Sequence, residues 1–379
     1  MTTWLLLVLG CSDGPKDSAG EETLWQLPLP DAFPEPVVPE DNPATLEKFE
    51  LGRHLFYDRR LSGNGAQSCA DCHDPDLAFS DGETTPLGST GDVIPRNSLA
   101  LVNVAWEATL TWPNPMLTTL EDQLLVPMYN DHPVELGMSG HEDEIRARLE
   151  ADPTYAPLGE AAFPGEDPLS QTSLVRALAT FVRGLVASDS PYDRYQYGGD
   201  TDAMSDAALR GMGLYFGEQT ECYHCHSGQN LTASFVSTSS AGEPEAFFNT
   251  GLYNIDGAGG YPADNTGLYE LTGEPADMGR FRVPTLRNIA QTGPYMHDGS
   301  VATLAEVIEI YNRGGRLIES GDNAGDGAKN PYKSPLVRAM GLTEDQKADL
   351  LAFLEALTDE GYAEACDATN PWPEADTGP

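Results

Sequence analysis

Basic side chains are scarce in this sequence. Lys and Arg number 21 against 60 Asp and Glu, a formal net charge of −39 over 379 residues. A field of that sign repels phosphate backbones and anionic headgroups, so nucleic acid and bare lipid surfaces are excluded as partners. Plain solubility and the steering of a basic partner both remain open. Long apolar runs are missing too: the stretch Trp4 to Leu9 is too short to span a bilayer. Cysteine and histidine are sparse, at six and seven residues, and no stretch carries the sustained alternation of a sheet.

What is present suits a mainly helical protein. An apolar share of 40% can bury ordinary cores, and the length suggests about two domains. The 38 Gly and 29 Pro point to long irregular connections. The first apolar run reads as an export signal, and Val8-Leu9-Gly10-Cys11 resembles a bacterial lipoprotein cleavage box. On that reading residues 1–11 are a signal, Cys11 carries lipid, and the protein is periplasmic and tethered. A plain cleaved signal is the alternative, and the usual basic residues before the run are absent. Residues 12–42 are Pro- and acid-rich and read as a flexible tether.

Order is expected from Asn42-Pro43, a cap followed by proline, with Leu46, Phe49 and Phe56 at helical spacing. Leu174, Leu178, Phe181 and Leu185 mark an amphipathic helix, and Ser188 to Gly199 breaks the pattern. A helix over Ser205 to Phe216 then opens a second half that repeats the plan of the first, which argues for duplication. The last helix is expected from Thr343, with Gln346 completing a capping box and Leu350, Leu354 and Leu357 buried.

The chemistry sits in Cys69-Ala70-Asp71-Cys72-His73 and Cys222-Tyr223-His224-Cys225-His226. CxxCH supplies two thiols for thioether bonds to a haem and an adjacent imidazole for its iron. A zinc or redox pair is the rival reading of CxxC, but neither copy has a second CxxC to complete a zinc site. Two covalent haem c groups are therefore expected. Cys366 is left over near the C-terminus as a bystander. The sixth iron position decides between electron transfer and chemistry, and His54, His132, His141, His224, His297, the Met and the Tyr residues are the free candidates.

Several further runs resemble the bacterial di-haem cytochrome c peroxidase superfamily, and within it the MauG-type branch. They are Leu77-Ala78-Phe79-Ser80-Asp81-Gly82, Arg96-Asn97-Ser98, Thr119-Leu120-Glu121-Asp122-Gln123 and Pro133-Val134-Glu135-Leu136-Gly137. The second half adds Val283-Pro284-Thr285-Leu286-Arg287-Asn288 and Pro294-Tyr295-Met296-His297-Asp298-Gly299. The resemblance implies two cytochrome c-like helical domains, 43–195 and 196–379, each with one covalent haem c, and a Ca²⁺ between them. It makes His73 the proximal ligand of the haem that meets H2O2. The position where peroxidases carry a blocking distal His is Ser89, so that iron would be open. It makes His226 the proximal ligand of the second haem, with Tyr311 where the peroxidases have Met; Met296 and Met278 are the other possible ligands.

By the same resemblance Glu135 is the distal acid/base, with a helix-start Glu as the plain alternative. Gln123 and Pro127 shape the distal pocket, although two extra residues within Met128 to His132 separate them from Glu135, and His132 could intrude. Trp112 carries charge between the haems, with Trp106 as the fallback and core packing as the alternative for either. Asn97, Thr292 and Pro294 hold the Ca²⁺. The implied activity is a peroxide-dependent oxidase that forms a bis-Fe(IV)-like state and oxidises aromatic residues, above all Trp, of a secreted partner protein. The methanobactin-associated di-haem branch is the best analogy. Thr220 replaces the MauG interface Trp, so another exit such as Tyr215 or Tyr223 is needed. The alternatives are a cytochrome c peroxidase fed by a small electron-transfer protein, and a non-enzymatic di-haem carrier.

Overall fold

The computed structural model describes residues 29–372 apart from positions 31 and 243. The expected signal at 1–11, the lipid-bearing Cys11 and the tether up to residue 28 lie outside the described residues. The described chain is helical with long connections. Its α-helices are α1 (Leu46–Phe56), α2 (Leu120–Tyr129), α3 (Glu142–Glu150), α4 (Tyr155–Ala162), α5 (Gln171–Arg183) and α6 (Pro191–Gln196). They continue with α7 (Asp206–Tyr215), α8 (Tyr269–Thr272), α9 (Leu304–Arg313), α10 (Glu344–Glu355) and α11 (Tyr362–Ala365). Among the described residues the only sheets are two antiparallel two-residue ribbons, Phe247–Phe248 with Phe281–Arg282 and Leu317–Ile318 with Gly325–Asp326. No described helix is long and apolar enough to cross a membrane.

Local chemistry sets most of the helix starts. Ser205 caps α7 by accepting from Ala208 N, and Thr343 with Gln346 forms the expected box at α10. The start of α1 differs from expectation. Its cap is Thr45, which accepts from Lys48 N, and Leu46 points outward at 41% exposure. Asn42 is instead fully buried and donates to Glu121 Oε1 at 2.6 Å and to Arg176 O at 3.1 Å. A buried amide must find partners, and here they come from α2 and α5 rather than from its own helix.

The two halves repeat one packing motif. Gly52 of α1 lies so close to Ala177 O of α5 that a Cβ would not fit, with the Phe181 Cβ alongside. Gly211 of α7 lies in the same way against Asp349 O of α10, with the Phe353 Cβ alongside. In each case a glycine on the helix before a CxxCH meets residue i and a Phe at i+4 of a later helix. Around the first crossing Phe49, Leu55, Phe56, Leu174, Leu178 and Phe181 are buried together. Around the second Tyr192, Ala208, Tyr215, Ile308, Leu350, Phe353 and Leu357 are buried together. A smaller group joins Trp112 of the first half to Leu252, Tyr253, Tyr261, Phe281 and Val301 of the second.

The chain end returns to the first core. Tyr362, Cys366, Ala368 and Trp372 are buried there, Tyr57 Oη donates to Ala368 O at 2.6 Å and Trp372 Nε1 donates to His54 O at 3.0 Å. Cys366 is thus 3% exposed inside a core rather than loose near a terminus.

Candidate functional site

Cys69 opens a short 3-10 turn, Cys69–Asp71, that Ser68 and Asp71 close as a capping box. Ala78 and Phe79 follow in left-handed conformation, with φ of 54° and 59°, and bend the chain back on the motif. The Phe79 carbonyl consequently sits 2.8 Å from His73 Nδ1. A carbonyl can only accept, so the proton is on Nδ1 and the Nε2 lone pair is left for a metal. Burial lowers the His73 pKa, partly opposed by that carbonyl, so the imidazole stays neutral.

His73, Cys69 and Cys72 line an open-mouthed cavity of about 1250 Å³, solvent at its mouth included, together with Leu99, Leu101, Trp112, Gln123, Pro127 and Glu135. Burial pushes both thiols up to about 12. At neutral pH both sulfurs are therefore neutral, as the sulfur of a thioether is. The apolar lining, the neutral sulfurs and an imidazole held through its Nδ1 all fit a haem c.

The opposite wall is built by α2 and the segment after it. Gln123 and Pro127 lie on α2, and the extra residues bulge outward as a loop in which Asn130 Nδ2 donates to His132 O at 2.9 Å. The main chain then re-registers: Leu136 N donates to Pro127 O and Met138 N to Met128 O, both at 2.9 Å. The insertion therefore leaves Glu135, Gln123 and Pro127 on one wall, and His132 is exposed rather than intruding. Burial alone raises the Glu135 pKa to about 7, the poise of a group that both takes and gives a proton near neutrality. Gln123 Oε1 is buried without a protein partner. Ser89 N donates to Glu135 O at 2.7 Å, so the loop where peroxidases carry a His packs on the Glu135 segment. Among the described residues His73 is the only histidine lining the cavity.

One wall residue escaped the sequence reading. Gln67 Nε2 donates to Leu87 O at 2.9 Å and lies 3.2 Å from Cys72 Sγ, while its Oε1 is buried without a partner. A lone Gln between Gly-rich and Cys-rich stretches carries no sequence signal for that placement.

The second motif repeats the proximal arrangement. The turn Cys222–His224 precedes Cys225 and His226, and Leu231, at φ 50°, brings its carbonyl 3.2 Å from His226 Nδ1. Burial lowers the His226 pKa to about 4. Tyr215 Oη donates to His226 O at 2.6 Å and braces the ligand loop. Tyr311, on α9, is the difference between the two sites. Its phenol is held far above its usual pKa, first by burial and then by the proximity of Cys225 and Cys222. The two thiols lie near enough to act on its charge, and a phenol of this kind ionises only against a cation such as a ferric iron. Met296 lines a different cavity, and Met278 packs against the intermediate cluster.

That different cavity, about 570 Å³, brings together Asn97, Thr292 and Pro294. Asn97 Nδ2 donates to Glu83 O at 2.7 Å, which leaves its Oδ1 as a ligand atom. Among the described residues no cluster of three or more His, Cys, Asp or Glu could hold a metal ion, so an ion here would rest on neutral oxygens, as a hard Ca²⁺ accepts. Trp112 lines both cavities, and its Nε1 donates to Asn97 O at 2.8 Å. Its ring lies 6.5 Å from that of His297, which stacks on Phe281 at 3.6 Å. Trp106, by contrast, is core: it is 1% exposed, packs on Phe33 at 5.8 Å and donates to Pro34 O.

Residues 46–202 match the profile of the di-haem cytochrome c peroxidase family. The MauG methylamine utilization protein of Methylorubrum extorquens is 34% identical over 373 residues, covering 96% of both chains. The cytochrome-c peroxidase IdrP1 of Denitromonas iodatirespirans is 35% identical, covering 86% of this chain and 85% of its own. A crystal structure of a MauG-like protein associated with microbial copper homeostasis superposes with a TM-score of 0.90 at 50% identity, covering 92% of this chain and all of the other. The chain belongs to the di-haem cytochrome c peroxidase/MauG family. It is an H2O2-dependent di-haem oxidoreductase of that type.

Proposed function

We propose that the protein uses H2O2 at the His73 site to oxidise aromatic residues, above all a Trp, of a separate protein. In this reading Cys69, Cys72, Cys222 and Cys225 attach two haem c groups covalently, in two domains related by duplication. A Ca²⁺ is held by Asn97, Thr292 and Pro294. Export to the periplasm and a lipid anchor at Cys11 belong to the same proposal. The observation that carries it is the contrast between the two sites: Glu135 without a distal imidazole at the first, Tyr311 at the second.

The haem iron, when bound, supplies the two-electron reduction of peroxide. The residues manage protons and order. Glu135 takes the proton from the inner peroxide oxygen and returns it to the outer one, which leaves as water. Gln123, with its free buried Oε1, and Pro127 confine the peroxide to that wall. At the second site Tyr311 would hold the iron as a hard anionic oxygen donor, which favours the oxidised metal. Trp112, which lines the His73 cavity and the neighbouring one around Asn97, stands at the edge of the first site on the side of the second half and would carry charge between the two sites.

The test is low-temperature EPR of the fully ferric protein before and after stoichiometric H2O2. A high-spin signal beside a low-spin one, both lost without prior reduction, is expected. Two low-spin signals that ignore peroxide until one haem is reduced would favour the second reading, a peroxidase drawing electrons from a small cytochrome. The likeness to a cytochrome-c peroxidase of similar length supports that reading.

A further inference from the structure

The proposed reaction needs a way for an electron to enter from the partner, and Thr220, Tyr215 and Tyr223 do not suit that task equally. Thr220 has no oxidisable ring. Tyr215 is 1% exposed, and its hydroxyl donates to a backbone carbonyl, His226 O, which cannot take up a proton. Oxidising a phenol at neutral pH releases its proton, so a tyrosine without an acceptor resists oxidation. Tyr215 is a brace.

Tyr223 has what Tyr215 lacks. It lies between Cys222 and Cys225, so its backbone is part of the turn that presents both sulfurs. Its ring packs partly against the second core and lies 4.2 Å from the His224 ring. Its hydroxyl donates to Glu218 Oε1 at 2.9 Å, and Glu218 is exposed. A solvent-reaching phenol with a carboxylate acceptor, one residue from a haem-attachment cysteine, is a proton-coupled relay by geometry.

We propose that Tyr223 is the residue through which electrons pass from the partner's aromatic side chain to the second haem site, with Glu218 as its proton acceptor. The inference rests on the protein-oxidising reading above. In each turn one electron leaves the Tyr223 ring for the oxidised site, its O–H bond breaks, and the proton moves to Glu218. The tyrosyl radical then takes one electron from the partner's ring, and the proton returns from Glu218 to the phenol oxygen. The partner ring releases its own proton to water. Two turns use the two oxidising equivalents that one H2O2 delivers. Glu221 is compensated by Arg338, so the acidic character of this rim rests on Glu218 and on the chain's net charge of −39, which favours a partner that presents its aromatic residue within a basic surface.

The experiment is freeze-quench EPR of the holoprotein after H2O2 without partner, with ring-deuterated tyrosine to identify the radical. Mass spectrometry of the same samples locates tyrosine oxidation and tyrosine–tyrosine cross-links. The wild type is expected to show a tyrosyl signal and oxidation at Tyr223. Tyr223→Phe, with its two-haem absorption spectrum intact, is expected to lose that signal and to hold its oxidised state about tenfold longer. Glu218→Gln is expected to lower the radical yield and steepen its rise with pH, and Glu218→Asp to restore it. An unchanged tyrosyl signal in Tyr223→Phe would overturn the relay while leaving protein oxidation standing. Ferric signals that ignore peroxide in the wild type would overturn the underlying reading itself.

Discussion

The two halves of this molecule are built alike up to the iron and differ beyond it. Each has a glycine-notched helix crossing, Gly52 against Ala177 and Gly211 against Asp349. Each has a CxxCH turn and a His whose Nδ1 is tied to a carbonyl supplied by a left-handed loop. On the far side, the first half presents Glu135 and Gln123 around a wide cavity and no second imidazole. The second half presents Tyr311. On the proposed reading one scaffold yields two iron environments, and the difference lies in the residues assigned opposite each imidazole. The lesson is that proximal architecture makes a haem domain, while the distal side chain decides whether it reacts or stores charge.

The largest effect is expected on the first side of that comparison. Glu135→Gln keeps shape but removes the base, and the peroxide step should slow by about 10²–10⁴-fold in stopped-flow absorbance. In the wild type that rate should rise with pH through about 7, where Glu135 ionises. A flat profile and an unimpaired variant would remove Glu135 from the reaction. On the second side, Tyr311→Met should make the sites more alike in ligand softness. The reduction potential of the second haem should rise, on the order of 100 mV, in a spectroelectrochemical titration, since a thioether favours Fe(II).

Gly52→Ala and Gly211→Ala test the shared scaffold. Each should cost about 1–3 kcal/mol in denaturant unfolding, by forcing a methyl into a backbone contact. Loss at only one position would break the parallel between the halves. The smallest effect concerns stability. Glu135 has a folded-state pKa raised from 4.5 to about 7, so the fold favours its neutral form. Its contribution is fully present below about 4.5 and falls away as pH rises toward 7. Glu135→Gln should therefore leave Tm nearly unchanged at pH 5 and raise it at pH 8. By about 1.4 kcal/mol per pKa unit the ceiling is roughly 3 kcal/mol, and solvent in the cavity should reduce it to ~1 kcal/mol.

Local chemistry made much of this legible. Both CxxCH turns, the α7 cap at Ser205, the α10 box at Thr343 and the stripe of α5 need only neighbours within a few residues. The α1 start was misread because Asn42 is claimed by Glu121 and Arg176, groups far away in sequence. The two extra residues before Glu135 were visible as an offset, but their outward bulge depends on the Pro127 and Met128 carbonyls recapturing the chain. Gln67 and the two glycine notches were invisible, because nothing local marks a residue whose role is set by a distant backbone. The return of the chain end to the first core falls in the same class.

That return has a consequence for synthesis. Residues 362–372 complete the core around α1 through Tyr362, Cys366, Ala368 and Trp372, yet they are made after every residue of the second core. Until they dock, α1 lacks its final packing partners, whereas the second core is built from residues 192–357 alone. A frameshift or nonsense codon a few positions after Asp359 would spare every motif and still damage the molecule at its opposite end, in the half translated first.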